Sequence, residues 1–534
     1  MMRRTRMVAM GGALALGVAT MAGAAGAGAA PAQVAQTTAP QDYVVLAEEG
    51  ADVQALARQL SRLGDAQVTS VNTAIGMVTV TSTSADFLAG ARSMTSVQRA
   101  ATNGVVGRSP VSKDKKDTSV ERPRFDEPGN SHGNSAHAKK GKKGATDPFD
   151  DLLWGMDMLD APEAHRLEMG DKRVTVGIMD TGVDGSHPDL AANFNHKLSR
   201  NFVTDMPDID GECEYDGCVD PADVDHNGHG THVAGTIGAA MNGLGVSGVA
   251  PEVSLVNVRA GQDAGYFFLD STVNALTYSA DAGIDVVNMS FYVDPWAYNC
   301  IDGAPEDSTE EGQQQNATIE AMNRALDYAH SKNVTLVGAL GNSADDLANP
   351  PMDYSSPNYP EGNEHPRTID NATCFDLPVE GPHVIGVSSV GPSERKAYYS
   401  NYTTDLDSGE IEVSAPGGDY YDGTGVDPER LILSSVPRNV VLAEGSIDED
   451  GNITEYGEGW VLKDCRDVPG KGEQCGYYEY YQGTSMASPH AAGVAALIVS
   501  KYGKVNGTAG FTLDADTTKK ILMDSARDKA CPGG

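Results

Sequence analysis

The segment VTVGIMDTGVDGSHPDL (residues 174–190) starts with an unbroken apolar and β-branched run that ends at Asp180. Such a run is typical of a strand buried on both faces, as in a parallel sheet covered by helices. The chain continues this alternation, with strands predicted at 255–258, 284–291 and 334–340 and helices predicted after His229, over 271–282 and over 317–332. The sequence therefore predicts an α/β fold, and sites in such folds lie beyond the carboxyl ends of the strands.

Two glycine-rich segments supply further chemistry: NGHGTHVAGT (227–236) and GTSMASPHAAGVAALIVS (483–500). A serine hydroxyl is a weak nucleophile until a base takes its proton, and an imidazole base needs a carboxylate to fix its tautomer. Ser485 lies at the predicted start of a helix, where free backbone N–H groups and the helix dipole suit an oxyanion. The three segments thus offer a carboxylate, an imidazole and a hydroxyl.

The segments DTGVDGSHPDL, HGTHVAGT and GTSMASPHAAGVAAL, in this chain order, resemble the signature segments of the subtilisin-like serine proteases, the subtilase (peptidase S8) family. The resemblance covers about residues 148–530 and implies a subtilisin-like parallel sheet with helices on both faces. It implies that Ser485 is the nucleophile, His229 the general base and acid, and Asp180 the carboxylate that orients His229. No cofactor is implied for catalysis.

Two further residues are interpreted through the same resemblance. Asn342, in VGALGNSADD, matches the asparagine whose amide helps the family's oxyanion hole. His232, the second histidine of HGTH, is interpreted as a packing or hydrogen-bonding residue of the same helix.

Residues 42–107 predict a small separate unit in the order β-α-β-β-α, with Val105–Val106 available as a last strand. This order suggests a ferredoxin-like α+β fold. The unit resembles the propeptide that accompanies many subtilisin-like proteases. We therefore expect it to assist folding and to act as an intramolecular inhibitor.

The first thirty residues predict a secretory signal peptide, with Arg3, Arg4 and Arg6 before an apolar run and small residues up to Ala30. We therefore expect a secreted, extracellular protein that is not attached to a membrane once the signal is removed. Residues 108–147, which contain KDKK and KKGKK, predict a basic flexible linker that proteases cut easily. The catalytic domain is then expected over 148–534.

The charge of the chain is strongly divided. Its 534 residues include 75 Asp and Glu against 39 Lys and Arg, for a net charge of −36. Residues 1–146 carry +6 and the remainder −42. A part this acidic argues against nucleic acid and anionic membrane surfaces as partners, since both need clustered basic residues. Its charge favours basic peptide substrates through electrostatic steering.

Calcium is expected because members of the resembled family commonly bind it near the N-terminus. Asp189 and Asn242 fall at matching spacings from the motifs, and Asp150 is a third candidate ligand. The backbone carbonyls of Ala240, Leu244 and Val246 would complete the oxygen shell. The acidic segment 205–225 is interpreted either as a second calcium loop or as a solvated acidic surface.

The chain has seven cysteines. In an exported protein, Cys213–Cys218 and Cys465–Cys475 could close short loops and Cys300–Cys374 could tie two inserted loops, which leaves Cys531 unpaired.

The substrate cleft is where the chain departs from the family pattern. NMSFYVDPWAYNC replaces the usual glycine-rich segment after the third predicted strand, and insertions are expected over about 345–378 and 419–480. Phe291, Tyr292 and Trp296 either reshape the cleft or pack the inserted loops.

The sequence as a whole predicts a secreted, monomeric serine endopeptidase that hydrolyses peptide bonds through an acyl-enzyme and is made as a self-inhibited proenzyme. Two alternatives stay open. One is a catalytically silent binding protein with the same fold, which the intact set of Asp180, His229, Asn342 and Ser485 argues against. The other is an esterase that uses the same three residues.

Overall fold

The computed structural model describes residues 39–104, 120–123, 147–354, 365–405, 409–423, 427–468, 472–505 and 510–529. Within these ranges, none of the helices combines the length and the apolar character needed to cross a bilayer. The predicted signal peptide, most of the predicted linker and Cys531 lie outside the described residues.

A four-stranded antiparallel sheet forms the N-terminal part of the described chain, with strand order β2-β3-β1-β4. Its chain order is βαββαβ, the ferredoxin-like order that the sequence predicts. The last strand was predicted in the wrong place: residues 97–103 pair with β1, whereas Val105–Val106 lie outside the described residues. The elements are β1 (Gln41–Ala47), α1 (Val53–Leu60), β2 (Gln67–Asn72), β3 (Met77–Ser82), α2 (Phe87–Arg92) and β4 (Val97–Asn103).

The larger part of the structure is built on a seven-stranded sheet in the order β13-β12-β10-β8-β5-β7-β6. All six neighbouring pairs are parallel, which confirms the predicted fold class. In chain order, the elements from residue 154 to the end of β10 are α3 (Trp154–Met158), α4 (Ala161–Ala164), β5 (Thr175–Met179), β6 (Arg200–Asn201), α5 (His229–Gly238), β7 (Ser254–Arg259), α6 (Leu269–Ala282), β8 (Val286–Met289), β9 (Asn299–Cys300), α7 (Thr309–Ser331) and β10 (Thr335–Ala339).

The remaining elements complete this sheet and add smaller ones. They are β11 (Cys374–Phe375), β12 (Val384–Val390), β13 (Val413–Pro416), β14 (Ile432–Val436), α8 (Arg438–Ala443), β15 (Val461–Val468), β16 (Gly472–Tyr481), α9 (Thr484–Tyr502), β17 (Lys504–Val505), β18 (Phe511–Thr512) and α10 (Ala515–Ser525). β14, β16 and β15 form an antiparallel sheet, so part of the insertion expected over 419–480 is an ordered layer.

Helices cover both faces of the parallel sheet because its side chains alternate between two cores. In β5, Val176 and Ile178 join the core under α5 and α9, whereas Met179 joins the core under α6 and α7. Successive residues of a strand point to opposite faces, so a strand that is apolar throughout needs a cover on each side.

The N-terminal sheet uses the same alternation to dock on the larger part. Tyr43 and Val45 of β1 pack in the unit's own core against α1 and α2. Val44 and Leu46 point the other way, into the core shared with α6 and α7. Docking is reinforced by Arg324 of α7, which donates to the carbonyl oxygens of residues 47 and 75.

All three predicted disulfide bonds are present. Cys213 bonds to Cys218, Cys300 to Cys374 and Cys465 to Cys475. The second joins the paired strands β9 and β11, and the third lies within the β15–β16 pair. The disulfides therefore brace the inserted loops around the sheet rather than its core.

Candidate active site

The predicted site residues converge at the carboxyl edge of the parallel sheet. Asp180 directly follows β5, and Asn342 lies three residues beyond β10. His229 is the first residue of α5 and Ser485 the second residue of α9, so both helices start at this edge. The fold thus brings together four side chains that lie up to 305 positions apart in the sequence.

Asp180 and His229 form a buried hydrogen-bonded pair. The Nδ1 atom of His229 lies 2.7 Å from Oδ1 of Asp180, a carboxylate with no exposed surface. The backbone N–H of Thr181 donates to the same oxygen at 2.8 Å. This contact fixes the imidazole so that Nε2 faces the cleft.

Glycine at position 230 lets α5 start this close to Asp180. A Cβ atom on Gly230 would lie 2.1 Å from the backbone oxygen of Gly182, which no side chain tolerates. The HGTH motif therefore needs glycine after His229 for a steric reason. This requirement is separate from the need for an imidazole at position 229.

Ser485 is held at the start of α9 by an unusual backbone and an unusual carbonyl partner. Gly483, the residue before the helix, has φ 148°, in the range that favours glycine. Pro489 has no N–H for the carbonyl of Ser485 four residues earlier. The hydroxyl of Ser290 donates to that carbonyl instead, at 3.2 Å, and so satisfies the free backbone group.

The amide of Asn342 is oriented by Thr484. Its Oδ1 accepts from the backbone N–H and from the hydroxyl of Thr484, both at 2.9 Å. With the oxygen fixed in this way, Nδ2 points toward the side of the cleft on which Ser485 lies. This is the direction in which an amide donor would meet a developing oxyanion.

A residue that sequence reasoning missed occupies the centre of this site. The hydroxyl of Ser485 donates to Oε1 of Glu121 at 2.7 Å, and Nδ2 of Asn342 donates to the same oxygen at 3.2 Å. The Oε2 atom of Glu121 lies 3.5 Å from Nε2 of His229. The carboxylate of Glu121 therefore lies between the imidazole of His229 and the hydroxyl of Ser485.

The backbone around Glu121 is also attached to the cleft. The backbone N–H of Gln482 donates to the carbonyl of Glu121 at 3.1 Å, and its side-chain amide donates to the carbonyl of Val120 at 2.7 Å. No local pattern in the predicted linker singles out Glu121, since this placement depends on contacts with residues 108 to 364 positions away.

Mutual ionisation stabilises the contact between Glu121 and His229. Burial lowers the pKa of His229, but the carboxylates of Asp180 and Glu121 outweigh burial and raise this pKa well above its ordinary value. Burial raises the pKa of Glu121, but His229 and the hydrogen bonds from His229 and Ser485 lower it below its ordinary value. The contact is therefore strongest between these two pKa values and weakens at more acidic and at more alkaline pH.

The cleft next to this site contains about 270 Å³ of space, lined in part by Phe291 and Tyr292. Phe291 stacks on Phe267 with ring centroids 4.1 Å apart. Trp296 is fully buried, donates to Gln314 at 3.3 Å and packs under the guanidinium of Arg367. Of the three aromatic residues in question, two therefore line the cleft and one packs the inserted loops.

His232 is a structural residue, as the sequence predicts. Its ring stacks on Tyr481 with centroids 4.3 Å apart, and its Nε2 lies 3.1 Å from the carbonyls of Ile432 and Glu479. Burial lowers its pKa to about 3, so the ring is neutral.

The predicted calcium ligands lie in one region, but hydrogen-bond donors occupy them. Oδ2 of Asp189 accepts from the hydroxyl of Tyr478 at 2.8 Å and from the N–H of Val246 at 3.1 Å, and Oδ1 accepts from the amide of Asn242 at 3.0 Å. The guanidinium of Arg466 donates to the carbonyl of Asn242. Calcium takes six to eight oxygen atoms that are free to coordinate, so this arrangement of donors does not fit it.

Asp150 belongs to a neighbouring cluster. Its carboxylate accepts from the N–H of Ser247 at 2.9 Å and from the N–H of Asp147 at 3.0 Å. Asp147 in turn accepts from the hydroxyl of Ser247 at 2.9 Å. These two carboxylates pin the loop after α5 by hydrogen bonds.

The acidic segment 205–225 has an internal counter-charge. Arg259 of β7, fully buried, pairs with Asp220 at 2.8 Å, with Asp205 at 2.6 Å and with Asp263 at 2.9 Å. Two of these aspartates come from the segment itself, so part of the segment is a buried ion-pair network rather than a solvated surface.

Comparison with known proteins assigns a family to this architecture. Residues 171–533 match the sequence model of the subtilase family, Peptidase_S8. Subtilisin DY of Bacillus licheniformis is 27% identical over 349 residues, which cover 65% of this chain and 85% of that protein. Fervidolysin of Fervidobacterium pennivorans is 28% identical over 356 residues, which cover 66% of this chain and 38% of that protein.

A solved structure with the same fold is the epidermin leader peptide processing serine protease of Staphylococcus aureus. It aligns with a TM-score of 0.57 and 19% identity, over 91% of each chain. At this identity the likeness concerns the fold.

The contact between Glu121 and His229 is testable by titration. Glu121→Gln removes one of the two carboxylates that face His229, so we expect the pKa of His229 to fall toward its ordinary value. NMR titration of the histidine rings measures it, in the full chain carrying Ser485→Ala so that the chain cannot cleave itself. Glu455→Gln, at an exposed position, serves as the control. An unchanged pKa of His229 in Glu121→Gln would refute the contact.

Proposed function

The chain belongs to the subtilase family and is a serine peptidase, and from this premise we propose that it is a secreted endopeptidase made as a self-inhibited proenzyme. In this proposal Ser485 is the nucleophile, His229 the general base and acid, Asp180 the residue that orients His229, and Asn342 an oxyanion donor. Its substrates are peptides and proteins, on which it acts as a monomer.

One observation carries the catalytic proposal. A single anionic oxygen, Oε1 of Glu121, accepts hydrogen bonds from both the Ser485 hydroxyl and the Asn342 amide. In a reacting substrate, an oxyanion on the carbon bonded to Ser485 would need the same amide donor. Glu121 therefore occupies the region in which the oxyanion would form, and this supports an active site capable of turnover over a silent binding protein.

The reaction follows from the proton positions once Glu121 has left. His229, neutral at Nε2, takes the proton of Ser485 as Oγ attacks the substrate carbonyl, and Asp180 stabilises the resulting imidazolium. His229 then gives this proton to the leaving amine nitrogen, and the C–N bond breaks to leave an acyl-enzyme. A water molecule, deprotonated by His229, attacks the acyl carbon, and the proton returns to Ser485 as the ester breaks.

Self-inhibition is supported by the same contact. With Glu121 in place, the Ser485 hydroxyl donates to a carboxylate, and His229 is paired with that carboxylate. A charged imidazolium has no lone pair with which to accept the serine proton. Residues 120–123 would thus keep the site inactive until cleavage or displacement removes them, alongside the N-terminal sheet docked on α6 and α7.

Secretion is supported by the disulfides. Three disulfide bonds among the described residues fit an oxidising compartment, since such bonds are rare in the cytosol. The predicted signal peptide over 1–30 fits the same location. Domain boundaries at 42–107, 108–147 and 148–534 complete the proposal for the precursor.

The proposed function predicts the behaviour of Ser485→Ala. We expect the full wild-type chain to cleave its own linker, hydrolyse casein and be labelled by a fluorophosphonate, and Ser485→Ala to lose labelling and at least ~10³-fold of the hydrolysis rate. Ser525→Ala, an exposed serine outside the site, is the matched control.

The three readouts distinguish the alternatives. Wild type that matches Ser485→Ala in all of them would refute the hydrolase. Labelling of Ser485 without cleavage of any peptide would point to an esterase.

The sequence predicts structural calcium at Asp189, Asn242 and Asp150, but the hydrogen bonds at these residues favour a metal-free loop. We therefore expect a chelator to leave the melting temperature of the full Ser485→Ala chain unchanged, and Asp189→Ala to lower it, because the N–H and O–H donors around Asp189 would lose their acceptor. A drop in melting temperature with EDTA that added calcium reverses, and that is absent in Asp189→Ala, would establish the calcium site instead.

A further inference from the structure

The residue after Glu121 fills a second pocket beside the active site. Arg122 is only 9% exposed, although its guanidinium is charged at any physiological pH. A charge this deeply buried is stable only with a partner and with filled hydrogen bonds. The pocket provides both.

Three groups surround the guanidinium. Nη1 donates to the carboxylate of Glu444 in a close ion pair, and Nη2 donates to the backbone carbonyl of Asn227 at 3.0 Å. The carbon at the centre of the guanidinium lies 4.6 Å from the centroid of the Tyr481 ring. An anion, a carbonyl acceptor and an aromatic face together match the planar fork of an arginine side chain.

The pocket is built by the rest of the fold. Tyr481 is held by stacking on His232, whose Nε2 lies within hydrogen-bond distance of two backbone carbonyls. Glu444 caps the carboxyl end of α8, and its own N–H donates to the carbonyl of Val440. Asn227 is held through its backbone N–H, which donates to Asp225 at 3.0 Å. Each wall is therefore fixed by contacts other than those to Arg122.

Removal of residues 120–123 would leave an anionic, aromatic pocket next to the catalytic residues. The Glu444 carboxylate would lose its arginine partner while Glu479, another acidic residue whose charge acts on Arg122, stays nearby. A substrate side chain of positive charge and planar shape would restore both the ion pair and the ring contact.

We infer that Glu444, Tyr481 and the carbonyl of Asn227 form a substrate subsite for an arginine side chain, which Arg122 occupies in the full chain. This inference rests on the proposed peptidase function and names the substrate class: peptides with an arginine close to the scissile bond. Arginine is preferred over lysine because an ammonium cannot donate to Glu444 and Asn227 in one plane while it lies flat on the Tyr481 ring.

The position of the subsite follows from the connection between Arg122 and Glu121. Glu121 reaches the nucleophile while the adjacent residue fills the pocket, so the arginine of a substrate is expected within two residues of the bond that is cut. Glu444 belongs to the insertion that the sequence analysis places over about 419–480, and is thus a feature of this chain rather than of the motifs that define the active site.

The test uses the enzyme that the full chain releases by its own maturation. A mixed peptide library is digested and the cut sites are read by mass spectrometry, and kcat/KM is then measured for peptides that differ only by arginine, lysine or norleucine at the enriched position. We expect arginine to exceed norleucine by ~10-fold or more. Glu444→Gln should bring that ratio close to one, because it removes the carboxylate that pairs with the arginine side chain.

Glu455→Gln is the matched control, since it removes an exposed carboxylate from the same insertion, and it should retain the full arginine preference. A wild-type enzyme that cuts the library with no arginine enrichment within two residues of the cut would overturn the subsite, whatever the variants do. An undiminished arginine preference in Glu444→Gln would overturn it as well. Absence of both labelling and cleavage in wild type would instead refute the proposed peptidase function.

Discussion

The imidazole of His229 lies between two carboxylates, with Asp180 at Nδ1 and Glu121 at Nε2. Asp180 directly follows β5, an interior strand of the parallel sheet, and its position follows from the buried cores on both faces of that sheet. Glu121 comes from a short stretch of the predicted linker. In the proposed mechanism the two contacts have opposite effects, because the first would prepare the imidazole to act as a base and the second would keep it from the serine proton.

The basic and acidic parts of the chain are in direct contact at residues 120–123. The sequence joins a basic N-terminal part to a strongly acidic remainder. Arg122 of the basic part is paired with Glu444 of the acidic part, and Arg324 reaches back to bond with the N-terminal sheet. The first contact is an ion pair between the two parts, whereas the second is a hydrogen bond to a backbone carbonyl and does not depend on the charge division.

The fold and the four central site residues could be predicted from sequence because their signals are local. An apolar run such as 174–180 predicts a buried strand. HGTH and GTSMA each contain a candidate site residue within a few positions. α7 was predicted from 317, yet it starts at Thr309, because its first turns are polar and its start depends on the capping box of Ser308 and Glu311. β4 was missed since QRAATN has little β-branched character and is stabilised by pairing with β1.

What could not be predicted depends on contacts between distant residues. Glu121 has no distinguishing neighbours in the linker, and only the folded cleft brings it to Ser485. The predicted calcium ligands are a similar case, since Tyr478 and Arg466 come from the inserted hairpin β15–β16, far from the motif that suggested a metal. Trp296 was ambiguous because its partners, Gln314 and Arg367, belong to two other segments.

The account depends most on the claim that the carboxylate of Glu121 keeps Ser485 unreactive in the intact chain. The rate of fluorophosphonate labelling of the uncleaved full-length band, followed at neutral pH in wild type and in Glu121→Ala, measures this directly. We predict that the variant is labelled at least ~10-fold faster. This corresponds to a free-energy barrier to labelling that is lower by about 1.4 kcal/mol. Equal labelling rates in the two intact chains would contradict the claim.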